Sequence, residues 1–145
     1  MKRFALSPEV PGDLGPRSVL THGSAGMEVV QPHLLLTSWM GDDLLECFPC
    51  FFASQRLGKA LIDAAVSGYV LEPAIVSVSP DASPGARKAP TMYFHWLKIV
   101  DTEGYSDFWI SRDRRLVASE RAMAVLERFT LEHCEREAVS NWERD

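Results

Sequence analysis

The chain has 145 residues, of which 46% are hydrophobic and 24% are charged, and its formal net charge is −5. This length suits a single domain, residues 1–145, that buries a core without disulfides or metal. The acidic balance argues against nucleic acid as a partner, and no apolar run approaches the roughly 18 residues that indicate a membrane span. We therefore expect a cytoplasmic protein whose three cysteines are reduced.

The first third of the chain predicts short strands separated by turns. Residues 4–6 alternate as a strand does, and the proline- and glycine-rich stretch after them predicts a loop. Residues 27–39 are rich in valine and leucine, and Pro32 predicts an extended piece at a sheet edge. Asp42 and Asp43 follow in a predicted turn.

Two segments, residues 51–72 and 116–137, repeat one pattern at an offset of 65 residues. Average composition would give roughly one or two identities over this length, whereas the segments share five. The identical pairs are Ala53/Ala118, Ser54/Ser119, Arg56/Arg121, Leu61/Leu126 and Glu72/Glu137. In both segments a short strand is followed by a serine and an apolar helical stripe, and a serine hydroxyl accepts hydrogen bonds from the first helical turn. The sequence thus predicts a strand–helix pseudo-repeat with two Ser-capped helices.

The elements between and after these segments complete the prediction. Residues 79–90 contain three prolines and no apolar period, which predicts an exposed, mobile hairpin loop. Residues 91–100 are mostly aromatic and aliphatic, which predicts a central strand buried on both faces. The first helix is predicted to end at residues 67–68, and the apolar spacing of the second helix extends to Phe129. The polar tail after it has Trp142 among its few anchors.

Together these elements predict an α+β fold. Its sheet is mainly antiparallel, and the two Ser-capped helices pack on it as a strand–helix pseudo-repeat.

The C-x-x-C sequence at Cys47 and Cys50 resembles redox motifs in its spacing. Those motifs place the first cysteine at a helix N-terminus, which lowers its pKa, whereas this pair precedes a predicted strand. Zinc would need two further ligands, and adjacent His133 and Cys134 are poorly placed to reach one ion together. We predict no metal and no cofactor, and we favour two reduced thiols over a redox role.

Catalytic signals are otherwise weak. The chain has no G-x-S-x-G elbow and no phosphate-binding glycine motif. Ser54 and Ser119 are the best-placed serines, and capping explains both. The four histidines show no metal spacing. We therefore predict that the protein is not an enzyme.

Two acidic–aromatic clusters, residues 39–45 and 105–109, are candidates for a binding surface. Exposed aromatic rings with neighbouring carboxylates make good anchors for a basic partner. The alternative places the rings in the core and the aspartates in ordinary turns. We favour the core for the rings, and we predict Asp42, Asp43 and Asp107 as partner-binding residues.

The succession of these features resembles the immunity proteins of bacterial polymorphic-toxin systems, specifically a group first catalogued as a family of unknown function. The resemblance covers residues 39–140 and is best over residues 116–139. The segments that carry it are F-F-A-S-Q-R-L (51–57), W-L-K-I-V (96–100), S-D-F-W (106–109), L-V-A-S-E-R-A-M-A-V-L-E-R-F (116–129) and E-H-C-E-R-E-A-V (132–139).

A more distant resemblance is to the double C-x-x-C-G immunity proteins. This chain has a single C-x-x-C, with no glycine after Cys50, so a zinc site is not carried over.

The resemblance implies a small α+β protein that binds and neutralises a cognate toxin without catalysis. Steric occlusion would be the mechanism, and carboxylates would face a basic toxin surface. The rival hypothesis is a small-molecule-binding or enzymatic domain with a site between sheet and helices. A deep pocket with convergent polar groups would distinguish it.

Overall fold

The computed structural model describes residues 2–24 and 26–139, and in them the chain is rich in strands. The α+β class expected from the sequence is confirmed. The elements in chain order are β1 (Arg3–Ser7), β2 (Gly12–Leu14), β3 (Val19–Gly23), β4 (Gly26–Gln31), β5 (His33–Leu36), β6 (Leu44–Cys47), β7 (Cys50–Ala53), α1 (Gln55–Asp63), β8 (Tyr69–Glu72), β9 (Ile75–Val78), a 3₁₀ helix (Ala86–Met92), β10 (His95–Ile99), β11 (Phe108–Ile110), β12 (Leu116–Ser119), α2 (Glu120–Leu126) and β13 (Glu135–Val139).

The described strands form four sheets instead of the single sheet expected. Sheet A has the order β11-β12-β1-β13, sheet B has the order β6-β7-β10-β8, and both are antiparallel throughout. Sheet C, of order β2-β5-β9, contains the parallel pair β5–β9, and β3 with β4 forms a separate hairpin. One sheet does not suffice because both faces of sheet B are apolar, and each face needs its own cover.

Sheet B separates two hydrophobic cores. On one face Leu97 joins the first core, which contains residues of sheet A and of both α-helices. On the other face Trp96 joins the second core, which contains residues of sheet C and the 3₁₀ helix. Strand β10 lies between β7 and β8, so the predicted central position is confirmed. The strand is shorter than the predicted residues 91–100, because residues 91 and 92 belong to the 3₁₀ helix. Each large side chain buried there contributes roughly 1.5–3 kcal/mol to the free energy of folding.

The prediction that residues 79–90 form a hairpin loop is wrong, although six of these twelve residues are exposed as predicted. The mobility of this segment stays a prediction. The connection leads from β9 in sheet C to β10 in sheet B, so it does not join hairpin partners. It contains most of the 3₁₀ helix, and three of its alanines, Ala82, Ala86 and Ala89, are buried in the second core. Small side chains at this spacing let the short helix pack closely on sheet C despite the prolines around it.

Both α-helices begin with the predicted serine. The Oγ of Ser54 accepts a hydrogen bond from the N–H of Leu57 at 3.2 Å, and the Oγ of Ser119 accepts one from the N–H of Ala122 at 3.1 Å. Both serines have extended backbone angles, as N-cap residues do.

Both α-helices end earlier than predicted. Helix α1 stops at Asp63 instead of residues 67–68, and Ala65 then adopts a left-handed conformation with φ of 54°. Helix α2 stops at Leu126, and the N–H groups of Arg128 and Phe129 bond to carbonyls three residues back. This tighter turn keeps Phe129 against the first core, which explains why the apolar spacing continues beyond the helix. Trp142 lies outside the described residues.

Candidate partner-binding site

Asp43, one of the predicted partner-binding residues, is fully buried immediately before β6. Its Oδ2 accepts hydrogen bonds from Ser54 Oγ at 2.5 Å and from Arg56 Nε at 2.7 Å. Its Oδ1 accepts from Arg56 Nη2 at 2.7 Å and from the N–H of Thr130 at 3.3 Å. Burial alone would raise the pKa of this carboxyl, but the hydrogen bonds from Arg56 and Ser54 hold it below its usual value. We call these four residues the Asp43 cluster.

Asp107 is bonded in a similar way at the start of β11. Its Oδ1 accepts from Ser119 Oγ at 2.7 Å. Its Oδ2 accepts from the N–H and the hydroxyl of Ser67, at 3.0 and 3.2 Å, and from Arg121 Nη2 at 3.4 Å. Burial would raise the pKa of the Asp107 carboxyl, but the bonds from Ser119, Ser67 and Arg121 lower it. We call these four residues the Asp107 cluster.

The two clusters share a further set of backbone bonds. The carbonyl of each aspartate accepts from the N–H of the capping serine, at 2.9 Å for Ser54 and 2.8 Å for Ser119. Each aspartate also holds the segment after the opposite helix, because Thr130 follows α2 and Ser67 follows α1. Both carboxylates therefore tie a helix cap to the other half of the molecule.

Asp42 is also fully buried and internally bonded. Its carboxylate accepts from the N–H of Glu132 at 3.0 Å and from the N–H of His133 at 2.8 Å. The Nδ1 of His133 lies 3.3 Å from Asp42 Oδ1. This side chain fixes the segment that leads into β13.

Asp42, Asp43 and Asp107, which the sequence predicted as partner-binding residues, instead each accept several hydrogen bonds inside the fold. Asp42 and Asp43 have no exposed surface to offer a partner, and the side chain of Asp107 is 16% exposed. The physical reason is that a buried carboxylate is stable when charged donors and N–H groups surround it.

Within the described residues, Glu9, Asp42 and His133 place potential metal-ligating atoms within 4.8 Å of one another. The carboxylate of Glu9 already accepts from the N–H of Met40 at 2.6 Å and from the N–H of Asp42 at 3.1 Å. Burial raises the pKa of the Glu9 carboxyl, although these N–H bonds oppose the rise. These side chains therefore serve as hydrogen-bond partners that hold neighbouring segments together. That the protein binds no metal stays a prediction.

Cys47 and Cys50 lie opposite each other at the end of the β6–β7 hairpin. Both side chains are buried, and burial raises the pKa of each thiol to about 12. Nucleophilic attack needs the thiolate, and the raised pKa keeps both thiols protonated near neutral pH.

Buried His33 lies next to Ser77, with Nε2 2.6 Å from the serine Oγ. A catalytic base would need Nε2 free to accept the serine proton. The other ring nitrogen, Nδ1, accepts a hydrogen bond from the N–H of Arg17 at 3.2 Å, so the neutral ring carries its proton on Nε2. Burial lowers the pKa of His33 and keeps it neutral. The pair therefore joins β5 to β9 and does not activate Ser77.

Four of the twelve exposed large apolar residues in the described chain lie on the hairpin of β3 and β4, which we call the arm. In the described chain these two strands pair with each other and with no other strand. Its exposed large apolar residues are Val19, Leu20, Met27 and Val30. Val29 on the same hairpin is partly buried against the second core and attaches the arm to the body.

A cavity of about 570 Å³ lies at the end of sheet B, between β8, β9 and the 3₁₀ helix. Phe94 and Val76 of the second core line its inner side, and Tyr93 lines its outer side with 65% of its surface exposed. Glu72 and His95 are also among the lining residues. Neither this cavity nor the arm has a local sequence motif, so neither was predicted.

No known family model matches the chain, and no curated protein matches it. In the part of the chain that the structure describes, none of the helices has the length and apolar character needed to cross a membrane.

Proposed function

We propose that this chain is a non-catalytic bacterial immunity protein that acts in the cytoplasm by binding and neutralising a cognate toxin. The proposal starts from the resemblance of residues 39–140 to such proteins. The net charge of −5 suits a toxin with a basic surface, because opposite charge speeds association.

The observation that carries the proposal is the apolar surface of the arm. Leu20 and Met27 are 49% and 58% exposed, on a hairpin whose strands pair only with each other in the described chain. Exposed apolar side chains grouped on one hairpin mark a surface that a partner can cover. A protein partner supplies such a cover.

The bonding of the interior supports binding over catalysis. The described carboxylates of Asp42, Asp43 and Asp107 accept hydrogen bonds within the fold, and Cys47 and Cys50 are protonated near neutral pH. Groups engaged in this way stabilise a scaffold. A scaffold that presents a surface is what steric occlusion of a toxin requires.

We also propose that the chain contains two copies of one strand–helix unit, the pseudo-repeat expected from the sequence. Sheet B and sheet A have corresponding orders, in which a hairpin is followed by a central strand and then by the strand after the helix. The central strands, β10 and β1, are antiparallel to both of their neighbours. The Asp43 and Asp107 clusters occupy corresponding places, which supports two copies of one unit.

The test is survival of bacteria that co-express this chain with a toxin encoded beside it. The variant Leu20→Asp/Met27→Asp places two charges on the arm. We expect it to lose protection and to keep the melting temperature of the unaltered chain, because both side chains are about half exposed.

The matched control is Val100→Asp, which charges a similarly exposed valine outside the arm. We expect this control to protect fully. Full protection by the arm variant would show that the arm is not part of the toxin interface. A lowered melting temperature in the arm variant alone would show that the arm has a structural role instead.

A further inference from the structure

The cavity at the end of sheet B combines apolar walls with a carboxylate. Pro73, Pro90 and Phe94 contribute to the lining, and Glu72 ends β8 at the same cavity. Its volume of about 570 Å³ falls in the range of small-ligand sites, roughly 300–1,000 Å³. That space accommodates one long side chain of a partner together with the backbone beside it.

Tyr93 is held at this cavity in an unfavourable backbone conformation. Its φ is 51°, in the left-handed region that aromatic residues avoid. The residue ends the 3₁₀ helix, and its N–H bonds to the carbonyl of Pro90 at 3.1 Å. Strained positions of this kind concentrate at ligand-binding sites. Here the strained residue lines the cavity and leaves 65% of its surface exposed.

Glu72 has a partner that can be displaced. Its Oε1 lies 3.5 Å from Lys98 Nζ, and both side chains are nearly half exposed, so the ion pair is weak. The ammonium group of Lys98 also lies 5.2 Å from the centre of the Trp96 ring. Lys98 keeps this second favourable contact when Glu72 is taken by another cation.

We propose that this cavity binds an arginine side chain presented by the partner protein, an inference that rests on the proposed function. The guanidinium pairs with the Glu72 carboxylate through two N–H groups, and its flat face stacks on the Tyr93 ring. The aliphatic stem of the arginine lies along Pro73 and Pro90. A lysine ammonium forms the ion pair without the planar stacking, and a neutral side chain forms neither contact.

The test is an NMR titration of the isotope-labelled protein with three tripeptides: Gly-Arg-Gly, Gly-Lys-Gly and Gly-citrulline-Gly. Citrulline has nearly the shape of arginine and no charge. We expect saturable shifts of the Tyr93 and His95 amide signals with the arginine peptide, weaker ones with lysine, and none with citrulline. Equal shifts with all three peptides, or none with the arginine peptide, would overturn the proposal.

Two variants alter Glu72 in opposite directions. Glu72→Gln removes the carboxylate charge, and we expect arginine binding to weaken about 2- to 5-fold or more. Lys98→Gln frees the carboxylate from its internal partner, and we expect arginine binding to strengthen by up to about 5-fold. A merely structural Glu72 would make both variants weaken binding or leave it unchanged, and either result would contradict the proposal.

The co-expression assay separates this inference from the proposed function. If Glu72→Gln weakens arginine binding and protection together, the cavity is part of the toxin interface. If the unaltered chain protects but the arginine peptide does not bind, the cavity proposal fails and the immunity function stands. If the arginine peptide binds and no protection is seen, the cavity proposal is supported while the immunity function fails.

Discussion

The Asp43 and Asp107 clusters use the same three residue types in different surroundings. Asp43 has no exposed surface and receives two bonds of 2.7 Å from Arg56, whose guanidinium also lies 5.6 Å from the centre of the Phe129 ring. Asp107 is 16% exposed and receives one bond of 3.4 Å from Arg121. Arg121 makes a shorter bond, of 2.6 Å, to the carbonyl of Ala65.

The difference shows that burial determines how much the same set of hydrogen bonds contributes to the free energy of unfolding. A bidentate arginine in a buried site compensates the desolvation of a carboxylate, and loss of the carboxylate leaves buried donors without an acceptor. At a partly exposed site water replaces the missing acceptor. The Asp43 cluster should therefore contribute more to the free energy of unfolding than the Asp107 cluster.

The largest expected effect is on stability after removal of either carboxylate. We expect Asp43→Ala to lower the free energy of unfolding by about 2–4 kcal/mol, because Ser54 Oγ and the Thr130 N–H lose a buried acceptor. We expect Asp107→Ala to lower it by about 1–2 kcal/mol, because water reaches this site. Urea denaturation measures both values.

A matched control for this pair is Asp81→Ala, which removes an exposed carboxylate from another part of the chain. It should leave the unfolding midpoint unchanged. Equal losses for Asp43→Ala and Asp107→Ala would show that burial does not distinguish the clusters.

A smaller effect is expected from the capping serines. Ser54→Ala should cost about 1–2 kcal/mol and Ser119→Ala about 1 kcal/mol, because each removes an N-cap acceptor. The Ser54 cost should shrink in an Asp43→Ala background, since the serine then has lost its own acceptor. Additive costs in this double-mutant cycle would contradict a direct Ser54–Asp43 coupling.

The smallest effect is a difference in acid sensitivity. Both aspartates have a lowered pKa in the folded chain, so their stabilisation is present above the ordinary aspartate pKa of about 4 and is lost as the pH falls below it. Below about pH 4, we expect the free energy of unfolding to fall less steeply in Asp43→Asn than in Asp107→Asn.

Urea denaturation from about pH 3 to pH 6 measures these slopes. Glu9, whose pKa burial raises, acts in the opposite direction, because its contribution is lost as the pH rises through its folded pKa. Its contribution cancels when variants are compared with one another. If stability depends on pH in the same way in the two asparagine variants, the proposed electrostatic difference between the clusters is contradicted.

The parts of the fold that follow from local physics were predictable. A serine before an apolar helical stripe gave both caps, at Ser54 and Ser119. A run of aromatic and aliphatic residues gave the central position of β10. Such features depend on near neighbours in the chain, so a sequence pattern is enough to predict them.

The aspartate clusters depend on residues far apart in sequence, and they were not predicted. Asp43 precedes its capping serine by 11 residues and Asp107 precedes its own by 12, so an ungapped comparison does not align them. The identity of Arg56 and Arg121 was the available signal, since both residues bond to these carboxylates. A buried aspartate and an exposed turn aspartate have the same local sequence, and tertiary packing decides between them.

The 3₁₀ helix was missed for a related reason. The prolines of residues 79–90, of which only Pro90 lies in the helix, suggested a loop, while the spacing of Ala82, Ala86 and Ala89 indicated a buried stripe. Alanine contributes little to an apolar pattern, so the prolines dominated the prediction.

The position of β1 has a consequence for how the chain folds as it is made. In sheet A this strand lies between β12 and β13, and Arg3 pairs with Ser119 and Val139. Residues 44–99 contain every strand of sheet B, so that sheet can form while the later strands are still in the ribosome. β1 must remain unpaired until more than one hundred residues have followed it, and its closure into sheet A should be the slow, late step of folding.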